Sequence, residues 1–141
     1  MTKTNALRGY ISSRPFLGER VPQHVQNLAI RDYCRRIGMS YLLSATEYAM
    51  PGCFMILEQV LNDLTKGDGV ATYSLFMLPE DRLQRLYIYQ SVINAGASLH
   101  AVVEGLSLID KKDIGRIEDI WQVRQIMNSC PSAAEINGQA R

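Results

Sequence analysis

Nine consecutive residues, Ser12-Ser13-Arg14-Pro15-Phe16-Leu17-Gly18-Glu19-Arg20, hold two hydroxyls, two guanidiniums and a carboxylate. Arg14 and Arg20 together can grip a phosphate or carboxylate through paired N–H donors. An ordinary solvated loop with a local salt bridge is the plainer reading of the same residues. His24 follows shortly after. Imidazole titrates near neutrality, which makes it the best single acid–base candidate, set against a role as a helix-surface histidine. In Thr46-Glu47-Tyr48, Glu47 can serve as a general base or a ligand for sugar hydroxyls, and Tyr48 can stack on a ring. A solvated loop glutamate is the alternative. Tyr73-Ser74 and Glu104 complete the set. Phe76-Met77-Leu78 is apolar where a catalytic loop is usually polar, so core packing is the expected role and a pocket wall or partner contact the alternative.

These segments follow predicted strands. Ala6–Ser12, Ser40–Ala45, Val70–Leu75 and Ala97–Val103 read as β-strands. Residues 20–37 read as a helix in which Val21, Val25, Leu28, Ile30, Tyr33, Cys34 and Ile37 mark a buried face. Gly38 stops it, because glycine accepts the left-handed conformation beyond a last turn. A second helix spans about 53–65. A third runs from Pro79, placed in its first turn, to about Ala95. A last amphipathic helix covers 113–127 with Ile114, Ile117, Trp121 and Met127 as its stripe. Strands alternating with helices predict an α/β fold of three layers. Its sheet is mainly parallel, has four or more strands and carries helices on both faces. Ligands in such folds sit beyond the carboxyl ends of the strands, where the polar segments fall.

The chain has 141 residues and a formal charge of +1. One domain over 1–128 and a polar tail over 129–141 fit that length. Near-neutral charge argues against wholesale wrapping of nucleic acid, which needs many cations against phosphates. No apolar run spans a bilayer, and the first nine residues lack a signal-peptide core, so a cytoplasmic protein is expected. Cys34, Cys53 and Cys130 are widely spaced. They offer no zinc pattern, so no metal or cofactor is expected; Cys34 and Cys53 read as small core residues on helices, and Cys130 as a free thiol. No phosphate-binding glycine loop or nucleophile elbow is present.

The frame of residues 6–106 resembles the catalytic domain of serine recombinases, the resolvase–invertase family. Gly9-Tyr10-Ile11 is similar to that family's opening strand. Gln26, Ile30, Tyr33, Cys34 and Gly38 are similar to its first helix. Pro51-Gly52, Gly67-Asp68, Gly96 and Glu104 repeat its later landmarks. The resemblance implies a resolvase-like fold and a homodimer formed through the C-terminal helix. It also implies lost recombination. Arg14 stands where the family has its nucleophilic serine, Ser12 where it has an arginine, and Met50 where it has the arginine before proline. Leu75-Phe76-Met77-Leu78-Pro79-Glu80 replaces a segment that carries two arginines, and phosphoryl transfer needs such positive charge at the reacting phosphate.

Long runs are similar to a small bacterial family, the sporadic carbohydrate cluster proteins. They include Arg8-Gly9-Tyr10-Ile11-Ser12-Ser13-Arg14-Pro15-Phe16, Leu43-Ser44-Ala45-Thr46-Glu47-Tyr48-Ala49-Met50-Pro51 and Leu78-Pro79-Glu80-Asp81-Arg82. That resemblance implies a role in cell-surface polysaccharide or lipopolysaccharide biosynthesis. Ser12, Ser13, His24, Glu47 and Glu104 are then the candidate catalytic residues. Arg8, Tyr10, Arg14, Glu19, Arg20, Tyr48, Tyr73 and Ser74 are the candidate ligand-binding ones. The first function expected is binding or conversion of an activated or phosphorylated sugar. The second is a non-catalytic subunit or regulator of neighbouring carbohydrate-biosynthesis enzymes. The third is residual nucleic-acid binding.

Overall fold

A computed structural model describes residues 5–129. The elements run β1 (Ala6–Ile11), α1 (Gln23–Ile37), β2 (Ser40–Thr46), α2 (Met55–Asn62), β3 (Gly69–Thr72), α3 (Arg82–Asn94), β4 (Ser98–Ala101), β5 (Leu106–Leu108) and α4 (Lys112–Ser129). The sheet order is β2-β1-β3-β4-β5, parallel except for β5. On one face Leu7, Ile11 and Ala71 pack against Ile30 and Cys34 of α1. On the other, Tyr10, Val70, Leu99 and Leu108 pack with Leu57 of α2, Ile88 of α3 and Trp121 of α4. The α/β architecture expected from the alternating pattern is therefore present. No helix among the described residues is long and apolar enough to cross a membrane.

Several boundaries differ from the expected ones for local reasons. Pro22 is extended (φ −56°, ψ 143°), so α1 begins at Gln23 rather than near residue 20. Gly38 ends it as expected, with φ 74°. The third strand stops at Thr72 because the Thr72 hydroxyl donates to the Ser74 carbonyl and Ser74 caps a 3-10 turn over Leu75–Met77. Asp81 caps α3 through the Gln84 N–H, so Pro79 lies before the helix, not in its first turn. The Ala97 N–H bonds back to Val92 at the end of α3, which shortens the fourth strand. Beyond it, a turn at Gly105 (φ 65°) reverses the chain into the unforeseen β5.

Burial also departs from the expected stripes. Leu28 is 60% exposed, and Val25 and Ile37 are exposed as well. The position between them is taken by Gln26, which is fully buried. Cys34 is buried as read, but Cys53 lies half-buried before α2 rather than on it. Ile117 and Trp121 are buried in the domain's own core, whereas Met127 is exposed. The last helix reaches Ser129, one residue into the expected tail. The rest of that tail, Cys130 included, lies outside the described residues.

Polar contacts also tie α4 to α3. Arg85 of α3 is 2% exposed and makes a two-pronged ion pair with Glu118, at 2.9 and 2.8 Å. Its other nitrogen donates to the carbonyls of Pro79 and Glu80, and its plane lies 4.1 Å from the Trp121 ring. The Tyr89 hydroxyl donates to Glu118 at 2.7 Å. Burial works to raise the Glu118 carboxyl, but the hydrogen bonds from Arg85 and Tyr89 outweigh it and hold it below its ordinary value.

Candidate functional site

The carboxyl ends of β1, β2, β3 and β4 and the loops after them carry most of the expected site residues; Arg8 lies within β1 and His24 on α1. Gly9 has no side chain because a Cβ there would collide with the Ser44 hydroxyl of β2. Opposite Gly9, β2 holds one residue more than β1, a bulge between the pairs Arg8–Leu42 and Tyr10–Ala45. A bulge frees a backbone group from the ladder. Arg8 takes it up, its Nη1 donating to the Leu43 carbonyl at 2.9 Å. Arg8 thus braces the sheet edge.

Past the bulge, Tyr10 and Glu47 meet in the interior. The Tyr10 hydroxyl donates to Glu47 Oε1 at 2.9 Å. Glu47 also accepts the backbone N–H groups of Tyr48, Ile56 and Leu57 at 3.0–3.1 Å. Ile56 and Leu57 open α2, and the first N–H groups of a helix have no partner within it. Phe54, the cap residue, supplies no side-chain acceptor. Glu47 does so from the preceding strand end, and its negative charge suits the positive end of the helix. It is 3% exposed, so the solvated-loop reading fails, and the expected general base has every oxygen engaged. Burial raises the Tyr10 hydroxyl well above its usual range, and the neighbouring Glu47 carboxylate adds to that. Tyr10 is a fixed donor.

Arg14 closes this network. Its Nη1 donates to the Cys53 carbonyl at 2.6 Å and the Met50 carbonyl at 3.3 Å. Its Nε donates to the Ser12 hydroxyl at 3.2 Å, and its plane lies 4.5 Å from the Phe54 ring centre. Ser12 is buried and receives the Arg14 backbone N–H too. Gln26 bridges the start of α1 to the same loop, accepting from the Ser12 N–H and donating to the Ser12 and Val21 carbonyls. Ser12, Arg14, Tyr10 and Glu47 therefore converge, as a seam between the loops after β1 and β2.

The other candidates lie elsewhere. Glu104 accepts from the Ser74 hydroxyl at 2.8 Å and the Leu75 N–H at 2.7 Å, a second seam that ties the end of β4 to the 3-10 turn. Tyr73 rests its ring on Phe16, with centres 6.2 Å apart. Phe16 and Glu19 pair by two backbone bonds around Leu17 and Gly18, both at positive φ. Glu19 and Arg20, beyond that tight reversal, are exposed, whereas Arg14 is half-buried and bonded to its own loops. His24 and Tyr48 are exposed and Ser13 is half-buried. None of these three side chains has a hydrogen bond or ion pair among the described residues. Among the described residues no cluster of His, Cys, Asp and Glu could hold a metal ion.

Two open grooves lie outside both seams. The first, about 400 Å³, runs along α4 between Phe76 and Ile120, Val123 and Met127, with Arg116, Asp119 and Arg124 at its rim. The second, about 470 Å³, lies between α2 and α3 and includes Phe54, Met55, Glu58, Leu83, Gln84 and Tyr87. Sequence reasoning offered Phe76 as a candidate pocket wall but read Phe54 and Leu57 of the second groove only as core residues. It also missed Arg85, whose signal was its place three and four residues ahead of the buried Ile88 and Tyr89.

No family model matches the chain, and neither does any curated protein. Solved structures do. A resolvase family site-specific recombinase from Streptococcus pneumoniae is 12% identical, with a TM-score of 0.59 over 84% of this chain and 88% of that one. The N-terminal catalytic domain of TP901-1 integrase is 12% identical, with the same TM-score of 0.59 over 86% of this chain and 96% of that one. At that identity the likeness speaks for architecture alone: the chain has a resolvase-like α/β fold.

Proposed function

We propose that this chain is a non-catalytic accessory subunit in bacterial cell-surface carbohydrate biosynthesis, working through association with other chains. One observation carries the non-catalytic reading. The polar groups at the strand ends, Ser12, Arg14, Glu47, Ser74 and Glu104, bond to the protein's own loops and helix starts. A general base or phosphate clamp must instead present a free oxygen or N–H to a ligand. The carbohydrate setting rests on the long runs similar to the sporadic carbohydrate cluster proteins. Deleting the gene in its host tests it: altered surface polysaccharide supports the setting, and an unchanged profile contradicts it.

Self-association through α4 is part of this reading. Val123, Ile126 and Met127 are each more than half exposed. In an antiparallel pair of α4 helices about a two-fold axis, Ile120 meets Val123 of the second copy and Asp119 meets Arg124. Each pair then recurs by symmetry. Arg124 Nε has no hydrogen-bond partner among the described residues. Sedimentation at tens of micromolar tests the dimer, and a monomer contradicts it.

A second reading retains the activated sugar. Arg20 and His24 are exposed beside the start of α1, whose cap residue Pro22 supplies no side-chain bond. A nucleotide sugar or sugar phosphate held there would raise the melting temperature, and Arg20→Ala would abolish the rise.

A further inference from the structure

We propose that the groove between α2 and α3 receives an amphipathic basic helix of a partner protein. This deepens the accessory-subunit reading by naming a docking surface and the chemistry of its occupant. Leu83 and Tyr87 are 75% and 64% exposed, and Met55 across the groove is 56% exposed. Leu83 and Tyr87 are four residues apart on α3, so they share one face. Contiguous large apolar groups at a protein surface mark contact sites more often than scattered ones do. Met55 adds a side chain that adapts to an uneven partner.

The one charged side chain that lines the groove is acidic. Glu58 lines it, and Asp81 sits at its end, accepting the N–H of the lining residue Gln84. No Lys or Arg lines it. Two cations lie beside it: Arg14 stacks on Phe54 and is bonded to the Met50 and Cys53 carbonyls, and Arg82, next to Leu83, is paired with Glu118 of α4 at 3.7 Å. An apolar trough with an acidic rim complements a helix that places leucine-sized side chains on one face and Lys or Arg beside them. The walls are preformed, because Glu47 holds the first turn of α2 and Asp81 caps α3. Preformed walls lower the ordering cost of binding.

The test uses the full chain and a fluorescent Leu/Lys amphipathic peptide of about 16 residues, long enough to hold a helix. A Leu/Glu peptide of the same apolar pattern is the comparison. Binding is read by anisotropy and by shifts of backbone amide resonances. The Leu/Lys peptide is expected to bind saturably and to shift amides of α2 and α3. Leu83→Asp and Tyr87→Asp, both at exposed positions, are expected to weaken it about tenfold or more. Glu58→Lys is expected to weaken it and to favour the Leu/Glu peptide. Leu28→Asp on α1, 60% exposed on the other side of the sheet, is expected to leave it unchanged. No binding, equal binding by Leu83→Asp, equal binding of the acidic peptide, or shifts confined to α4 would each overturn the proposal. Sedimentation and nucleotide-sugar melting test the accessory-subunit reading without this groove, so the two can fail separately.

Discussion

The Tyr10 hydroxyl reaches Glu47 Oε1 at 2.9 Å in the interior, joining the end of β1 to the end of β2. The same carboxylate holds the first turn of α2. One side chain thus orders a strand end, a loop and a helix start. Glu47→Gln is expected to destabilise the fold by about 1–3 kcal/mol, because an amide cannot accept every N–H that the carboxylate accepts. Tyr10→Phe is expected to cost about 1 kcal/mol, since three backbone donors remain on Glu47. Urea unfolding measures both. A Glu47→Gln protein as stable as wild type would show that the carboxylate is not a structural cap.

Arg85 and Glu118 join α3 to α4 across a mostly buried ion pair. Removing one partner of such a pair strands the other in a poorly solvated place. Glu118→Ala is expected to cost about 3 kcal/mol. Hydrogen exchange is expected to show α4 opening more readily than the sheet. Uniform protection equal to wild type would mean that apolar packing at Ile117 and Trp121 alone holds the helix.

His100 gives stability a pH dependence. Its Nδ1 lies 2.7 Å from the Tyr33 hydroxyl and its Nε2 2.8 Å from the Ser98 hydroxyl. Burial pushes its pKa down from 6.5 to about 4. Between those values the unfolded chain binds the proton and the folded chain does not. The contribution is therefore fully present above pH 6.5 and falls away as the pH drops toward 4, by about 3 kcal/mol in all. Urea midpoints across that range are expected to fall in the wild type and to flatten in His100→Gln. An equal fall in both proteins would assign the effect to other groups.

The order of elements was legible because it depends on local signals. Gly38 follows a helical stripe, and alternating strands and helices leave few architectures. What stayed hidden depends on distant partners. Glu47 looks like a loop carboxylate until Ile56 and Leu57 fold back onto it. Arg14 and Arg20 look alike in the sequence until the loop after β2 supplies the Met50 and Cys53 carbonyls that bond Arg14, while Arg20 stays exposed. Leu28 and Gln26 exchange the places their hydropathy suggests, because Gln26 alone can bond both the Ser12 backbone and the Val21 carbonyl. The three residues of β5 are too few to show a period.

As internal structure, the strand-end seam holds loops and helix starts together and takes no ligand. Thermal melting of the wild type and Arg14→Ala tests it, alone and with a panel of nucleotide sugars and sugar phosphates. Arg14→Ala removes the bonds to the Cys53 and Met50 carbonyls and to the Ser12 hydroxyl. Arg14→Ala is expected to melt lower by about 5 °C, with no member of the panel raising either protein's melting temperature. An Arg14→Ala protein that melts like wild type but loses a ligand-induced rise seen in wild type would contradict it.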